Sequence, residues 1–236
     1  MARVSVCMGA YNGAKYIKEQ IDSILNQLSA EDELVISDDG STDDTKEIIM
    51  SYNDERIHLV QGPQQNLVMN FENAIKHSSG EYIFLADHDD VWLPDKVETM
   101  LCGLQQVDVV VSDCIVVDEN LKELRHSYFA WRHSAKGFWH NLYKTGYLGC
   151  CMSFRREILK RVMPIPRNVT CHDMWIGLVS EVFFKTAFIA EPLMMYRRHV
   201  GTVSTSADDT KLSLSSQIYY RLYIFWRIVL RIMKIC

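Results

Sequence analysis

Hydrophobic positions follow two alternating rhythms over the first half of the chain. Arg3 to Met8 is an apolar run rich in β-branched residues, which predicts a buried first strand ending at Gly9. After the Asn12-Gly13 turn signal, Tyr16, Ile17, Ile21, Ile24, Leu25 and Leu28 recur at helical spacing. Glu33 to Ser37 reads as a second strand, broken by Asp38-Asp39-Gly40-Ser41. Thr42 or Asp43 can cap a helix running to about Tyr52. A third strand (Ile57 to Val60), a helix (Val68 to His77) and a fourth strand (Tyr82 to Ala86) follow. Pro94 opens a helix to about Gln106, and Asp108 to Ser112 makes a fifth strand. Strand and helix in alternation imply an α/β fold: a mostly parallel central sheet with helices on both faces. Ligands of such sheets bind beyond the carboxyl ends of the strands.

The second half is less regular. Residues 118–147 carry Tyr128, Phe129, Trp131, Phe138, Trp139, Tyr143 and Tyr147 among basic residues and histidines. Leu148 to Phe154 is apolar and reads as a strand, Arg155 to Val162 and Asp173 to Phe184 as helices, and Leu193 to Met195 as a strand. The tail from Leu212 to Cys236 has no acidic residue, and Arg227, Arg231 and Lys234 share one helical face. Its longest uncharged run is far short of the roughly 20 residues a spanning helix needs. We therefore expect a basic amphipathic C-terminal helix on an anionic membrane surface, its other reading being a helix packed on the domain or on a second subunit of a homodimer.

Composition changes the picture only at the margins. The 236 residues suffice for one good-sized core, and 48% hydrophobic with 23% charged residues is ordinary for a globular protein. A net charge of −5 without a basic excess argues against nucleic acid as a partner. Seven cysteines without a C-x-x-C pair read as reduced core residues of a cytoplasmic protein, not as a zinc site or disulfide framework. The opening strand leaves no secretory leader.

Chemistry concentrates in two acidic clusters, both at strand ends. Several carboxylates in Asp87-His88-Asp89-Asp90 repel one another unless a cation joins them, and Mg²⁺ or Mn²⁺ with oxygen ligands does so. The bland alternative is a solvated acidic turn. In Asp38-Asp39-Gly40-Ser41-Thr42-Asp43, a carboxylate can accept the imide N–H of uracil or thymine, while Asp43 and Asp44 suffice for helix capping. Asp173 stands where it can cap the helix that begins there.

Val4-Ser5-Val6-Cys7-Met8-Gly9-Ala10-Tyr11-Asn12, then Asp38 to Asp43, then Asp87-His88-Asp89-Asp90-Val91-Trp92 together resemble the family 2 glycosyltransferases, which have the GT-A fold and invert. The form with Val-Trp after the aspartates is similar to bacterial rhamnosyltransferase-like members that build surface polysaccharides. The resemblance implies that Gly9, Ala10 and Tyr11 line a nucleoside pocket, that Asp38 or Asp39 holds the base, and that Asp87 lies near ribose and diphosphate. Asp89 is then the main metal ligand, with Asp90 close by. Cys171-His172-Asp173-Met174-Trp175 matches the later acidic motif, with Asp173 as base, Trp175 beneath a sugar ring and His172 in support. Tyr196-Arg197-Arg198-His199 offers His199 to the metal and Arg198 or Arg197 to phosphate, and Gly149 falls in a small-residue segment under the sugars. Near Leu67 the chain departs from its relatives, and only Asn66 carries over as a donor contact. On this reading residues 1–112 bind the nucleotide-sugar, 113–206 bind the acceptor and supply the base, and 207–236 form the tail. The expected reaction moves a sugar from a UDP- or dTDP-sugar to a lipid-linked or oligosaccharide acceptor at the inner face of the plasma membrane, with Mn²⁺ or Mg²⁺. A sugar nucleotidyltransferase and a silent donor-binding subunit are the competing readings.

Overall fold

The computed structural model describes residues 3–64, 66–199 and 213–233. Strand β1 (Val4–Ala10) is buried along its length, as an apolar run without alternation requires. It pairs in parallel with β2 (Glu33–Asp38) on one side and β4 (Tyr82–Asp87) on the other, and β2 pairs in parallel with β3 (Ile57–Gln61). Helices α1 (Ile17–Leu25), α2 (Thr45–Met50) and α3 (Leu67–His77) make the crossovers. Asn66 starts α3 by accepting the Met69 N–H at 3.0 Å, an N-cap that sets the helix origin.

The sheet runs β3-β2-β1-β4-β8-β6-β9-β5, with the short β7 (Glu123–Arg125) on β6. Here β5 is Val91–Trp92, β6 is Val109–Val117, β8 is Met152–Arg155 and β9 is Thr186–Arg197. β6 and β9 are parallel, whereas β8 runs antiparallel to both β4 and β6. α4 (Lys96–Leu104) packs on β6 and β8. The expected layering of a sheet covered by helices is therefore found, but the sheet is mixed: β1 to β4, β6 and β9 share one direction, and β5, β7 and β8 oppose it. One hydrophobic core extends from Val4 to Ile228, and residue 112 falls inside β6, so both halves share a single sheet.

Several expected elements differ locally. The apolar run from Leu148 to Phe154 is not one strand: Gly149–Cys151 forms a 3-10 turn, and only Met152 onward pairs. The helix expected from Arg155 begins as a 3-10 turn at Arg156–Ile158, and α7 is confined to Leu159–Val162. β9 starts well before Leu193, because Thr186 to Ile189 finds partners along β6. The aromatic stretch holds two short helices, α5 (Tyr128–Arg132) and α6 (Phe138–Tyr143), followed later by α8 (His172–Phe183).

The tail forms α9 (Leu214–Ile232), but its basic residues do not face outward as expected. The Arg231 guanidinium is buried and donates to Met163 O at 2.9 Å and Pro164 O at 2.6 Å, and Arg221 donates to Leu142 O and Tyr143 O. Carbonyls at the ends of α6 and α7 lack helical partners, and these guanidiniums supply them. Lys234 lies outside the described residues. Cys7, Cys102, Cys114, Cys150, Cys151 and Cys171 are free thiols, and Cys236 lies outside the described residues. Among those residues, no helix is long and apolar enough to cross a membrane.

Candidate active site

Three parallel strands end at one sheet edge. Register places Gly9 opposite Asp87 and Ala10 opposite Asp38, so both acidic clusters meet the end of β1. The loops after β1 and β2 are tied together: Asn12 N–H donates to Ser41 Oγ, Thr42 N–H to Asn12 Oδ1, Gly13 N–H to Thr45 Oγ1 and Ala14 N–H to Asp43. Gly40 turns this loop at φ +96°, which L side chains rarely adopt.

The two aspartates of the first cluster part ways. Asp38 is buried, and its carboxylate accepts Gly40 N–H, Ser41 N–H and the Ser41 hydroxyl, with Lys46 Nζ at 3.3 Å. Asp39 is partly exposed and accepts the Gln64 N–H at 2.6 Å. Gly9 and Ala10 are inside the sheet; the missing side chain of Gly9 makes room for the Phe71 ring, and only Tyr11, 54% exposed, presents a side-chain surface.

The second cluster is crowded. Burial, then the charges of Asp89 and Asp173, push the Asp87 carboxyl up to about 8. Burial tends to raise Asp89 as well, but the His199 hydrogen bond (Nε2 to Oδ2, 2.9 Å) and the nearby imidazoles hold it below the ordinary carboxylate range. Asp90 is fully buried and pushed well up by burial; one oxygen accepts Arg197 N–H at 2.9 Å, and the other has no partner. His88 wedges beside β1, with Nδ1 3.2 Å from Gly9 O; a Cβ on Gly13 would meet its ring at 2.3 Å.

Two sets of metal-type donors result: Asp89 with His199, and Asp87, Asp90 and Cys150, whose donor atoms lie within 4.8 Å of one another. Burial keeps the Cys150 thiol protonated, a poor donor for a hard cation. The carboxylates and the His199 imidazole fit Mg²⁺ or Mn²⁺ better, and the orphan Asp90 oxygen is consistent with a cation beside it.

At the facing end of α8, Asp173 accepts its neighbour Met174 N–H at 2.7 Å and the Gly149 N–H, and burial pushes it up to about 6. Its charge reaches Asp87, so the structure brings the expected base to the acidic cluster. His172 stacks on Phe71 with centroids 4.0 Å apart, lies against Gly149, and has both ring nitrogens without a partner. Burial pulls it down to about 3, leaving the imidazole neutral. Trp175, expected beneath a sugar, is a core residue instead: it is fully buried and its indole N–H donates to Val162 O at 2.9 Å. Arg198 is half-buried, its guanidinium 3.3 Å from the Tyr196 hydroxyl.

Sequence reasoning missed the groups that hold this edge rigid. Buried Arg197 reaches Asp89 O (2.7 Å), Glu119 O (2.8 Å) and Glu19 (2.5 Å), and its ring partner is Tyr16. It is committed to the scaffold rather than to phosphate. Lys96 Nζ, also buried, donates to Cys150 O at 2.8 Å over the Trp92 ring. Gln20 Nε2 fixes Asp87 O at 2.8 Å. The signal for Gln20 was available: a polar residue within the apolar stripe of α1.

The model of glycosyl transferase family 2 matches residues 5–163. The chain belongs to this family. An uncharacterised glycosyltransferase of Nostoc sp. (strain PCC 7120) is 28% identical over 87% of this chain and 67% of its own length. The putative teichuronic acid biosynthesis glycosyltransferase TuaG of Bacillus subtilis is 38% identical over 42% of this chain and 40% of its own length. This family 2 chain thus spans about two thirds of one relative and under half of the other. Staphylococcus aureus TarS (residues 1–349) in complex with UDP-GlcNAc superposes with a TM-score of 0.73, covering 98% of this chain and 67% of that one at 18% identity. That likeness bears out the expected GT-A fold.

Proposed function

We propose that this family 2 chain transfers a sugar, with inversion, from a UDP- or dTDP-sugar to a hydroxyl of a saccharide acceptor in bacterial surface-polysaccharide synthesis. The observation that carries the reading is the meeting of Asp173, a carboxyl pushed up to about 6, with the crowded carboxylates at the end of β4. In this reading Tyr11 stacks on the base, Asp39 accepts its imide N–H, and Gly9, Ala10, Asp38 and Asn66 shape the loops around it. Asp87 contacts ribose and diphosphate. Asp89, His199 and Asp90 would hold Mn²⁺ or Mg²⁺, which when bound would neutralise charge on the leaving diphosphate.

The chain's own groups do the rest. The acceptor oxygen attacks the anomeric carbon, the bond from that carbon to the diphosphate oxygen breaks, and Asp173 takes the hydroxyl proton. Gly149 lets backbone approach the sugars, neutral His172 offers them a hydrogen bond, and Arg198 meets phosphate. Support for the donor comes from the UDP-GlcNAc bound by TarS, and for the pathway from the likeness to TuaG, a putative teichuronic acid biosynthesis glycosyltransferase. We take the acceptor to be lipid-linked and the protein to work at the cytoplasmic membrane face.

The test incubates the protein with UDP- and dTDP-sugars, a lipid-linked saccharide and Mn²⁺ or Mg²⁺, and follows products. Nucleoside diphosphate released together with a longer saccharide is expected. Pyrophosphate release from sugar phosphate and nucleoside triphosphate would make the protein a nucleotidyltransferase instead, and donor binding without turnover would make it a silent subunit.

A further inference from the structure

Helix α9 carries apolar residues on both its inner and its outer face. Its inner face carries Ile224 and Ile228, both fully buried, together with the Arg231 guanidinium. The Tyr220 hydroxyl on the same side accepts the N–H groups of Thr170 and Cys171. The outer face is apolar: Ile218, Tyr219, Leu222, Trp226, Ile232 and Met233 are 48–69% exposed. This surface continues onto α6, where Trp139 is 70% and Tyr143 78% exposed, and the Trp139 ring lies 5.8 Å from that of Phe225. Isolated exposed apolar residues need no explanation, but a contiguous patch of this kind marks an interaction site.

Charge identifies the partner. No acidic residue occurs between Glu123 and Glu157 or anywhere in 213–233, the segments that build the patch. Its borders carry exposed cations: Lys136 and Lys144 flank α6, and Arg167 sits between Pro164 and Thr170, which α9 grips. A second copy on a two-fold axis would set these cations against themselves. A bilayer suits both features, since its acyl boundary takes Trp, Tyr and Leu while anionic headgroups take the cations.

We propose that the joint outer face of α6 and α9 docks on a membrane by burying Trp139, Tyr143, Leu222 and Trp226 at the acyl boundary, with Lys136, Lys144 and Arg167 among anionic headgroups. The proposal rests on the reading of a lipid-linked acceptor and reverses the expected orientation, in which the helix's arginines met the headgroups. Binding is therefore dominated by apolar insertion and survives salt.

The test is co-flotation with phosphatidylcholine vesicles, with and without phosphatidylglycerol, at about 0.1 M and about 1 M salt, where the Debye length falls from ~10 Å to ~3 Å. The expected result is binding to both compositions, tighter with phosphatidylglycerol, and largely retained at high salt. Leu222→Glu with Trp226→Glu should weaken it by about ten-fold or more. The same double variant should keep its melting temperature and its transfer to a short, water-soluble acceptor. Three outcomes overturn the docking face: no flotation of the parent protein, flotation abolished by salt, or flotation unchanged in the double variant. A dimer that the double variant dissolves assigns the patch to a second copy and also overturns the proposal. Docking lost with soluble-acceptor transfer intact leaves the transferase reading standing, and docking without any transfer does the opposite.

Discussion

Two clusters of aspartates end the strands on either side of β1 and do opposite work. Asp38 gives its carboxylate to its own loop, accepting two N–H groups and a hydroxyl with Lys46 beside it. The carboxylates after β4 have too few donors: Asp87 is pushed up to about 8, and Asp90 keeps an oxygen without a partner. A fully satisfied aspartate is architecture. An under-satisfied group of them is a place held for something positive, and folding stability is lower for keeping it.

The comparison breaks or sharpens under substitution. The largest effect expected is for Asp89→Ala, which should lower transfer by about 10³-fold or more and remove the metal-dependent rise in melting temperature on donor binding. Transfer at the parent rate would move the cation site elsewhere. Asp173→Asn should cost about 10²–10⁴-fold in kcat while donor affinity holds. In the parent enzyme the base must be ionised, so kcat should climb as pH rises through about 6; a rate flat from about pH 5 to about pH 8 would exclude Asp173 as base.

Next in size is Asp38→Ala, which strands the donors of its loop and should cost about 2–3 kcal/mol in urea unfolding. Asp39→Ala should stay within about 1 kcal/mol and instead weaken donor binding. Equal unfolding losses in the two variants would erase the distinction drawn between them. The smallest effect concerns stability and pH together. Asp173 has a higher pKa in the fold than in the unfolded chain, so ionising it opposes folding; that penalty is absent below the ordinary carboxylate range and complete above about 6. Asp173→Asn should therefore melt a few degrees above the parent at about pH 8, with the gap closing toward about pH 4. A gap independent of pH would contradict the assigned burial cost.

How much of this was legible in the sequence follows from element length and direction. β1 to β4 and their helices repeat apolar residues over enough positions to show their period, and register then carries both acidic clusters to one edge. α5 and α6 are too short to show a period, and β5 is a two-residue strand that pairs with β9 and donates the Trp92 N–H to Ser23 of α1. The run at Leu148–Phe154 shows burial but not direction, so the antiparallel sense of β8 was hidden. Helical spacing puts Arg227 and Arg231 on one face; that Arg231 points inward depends on carbonyls at Met163 and Pro164, far off in sequence. Trp175 failed for a related reason, because an aromatic beside a catalytic motif looks the same whether it faces ligand or core.

The placement of β8 has a consequence for how the chain acquires its shape. β4 receives its second neighbour only from residues 152–155, and β6 is then closed by β8 and β9. A nascent chain that has emerged only through β4 therefore presents the amides and carbonyls on that strand's outer side unpaired along an apolar edge. Closure waits on contacts between segments some 70 residues apart, which slows folding and lengthens the time during which two such chains can pair edge to edge. The aggregation hazard of this fold thus belongs to its most regular half, and the short strand β8 is what covers it.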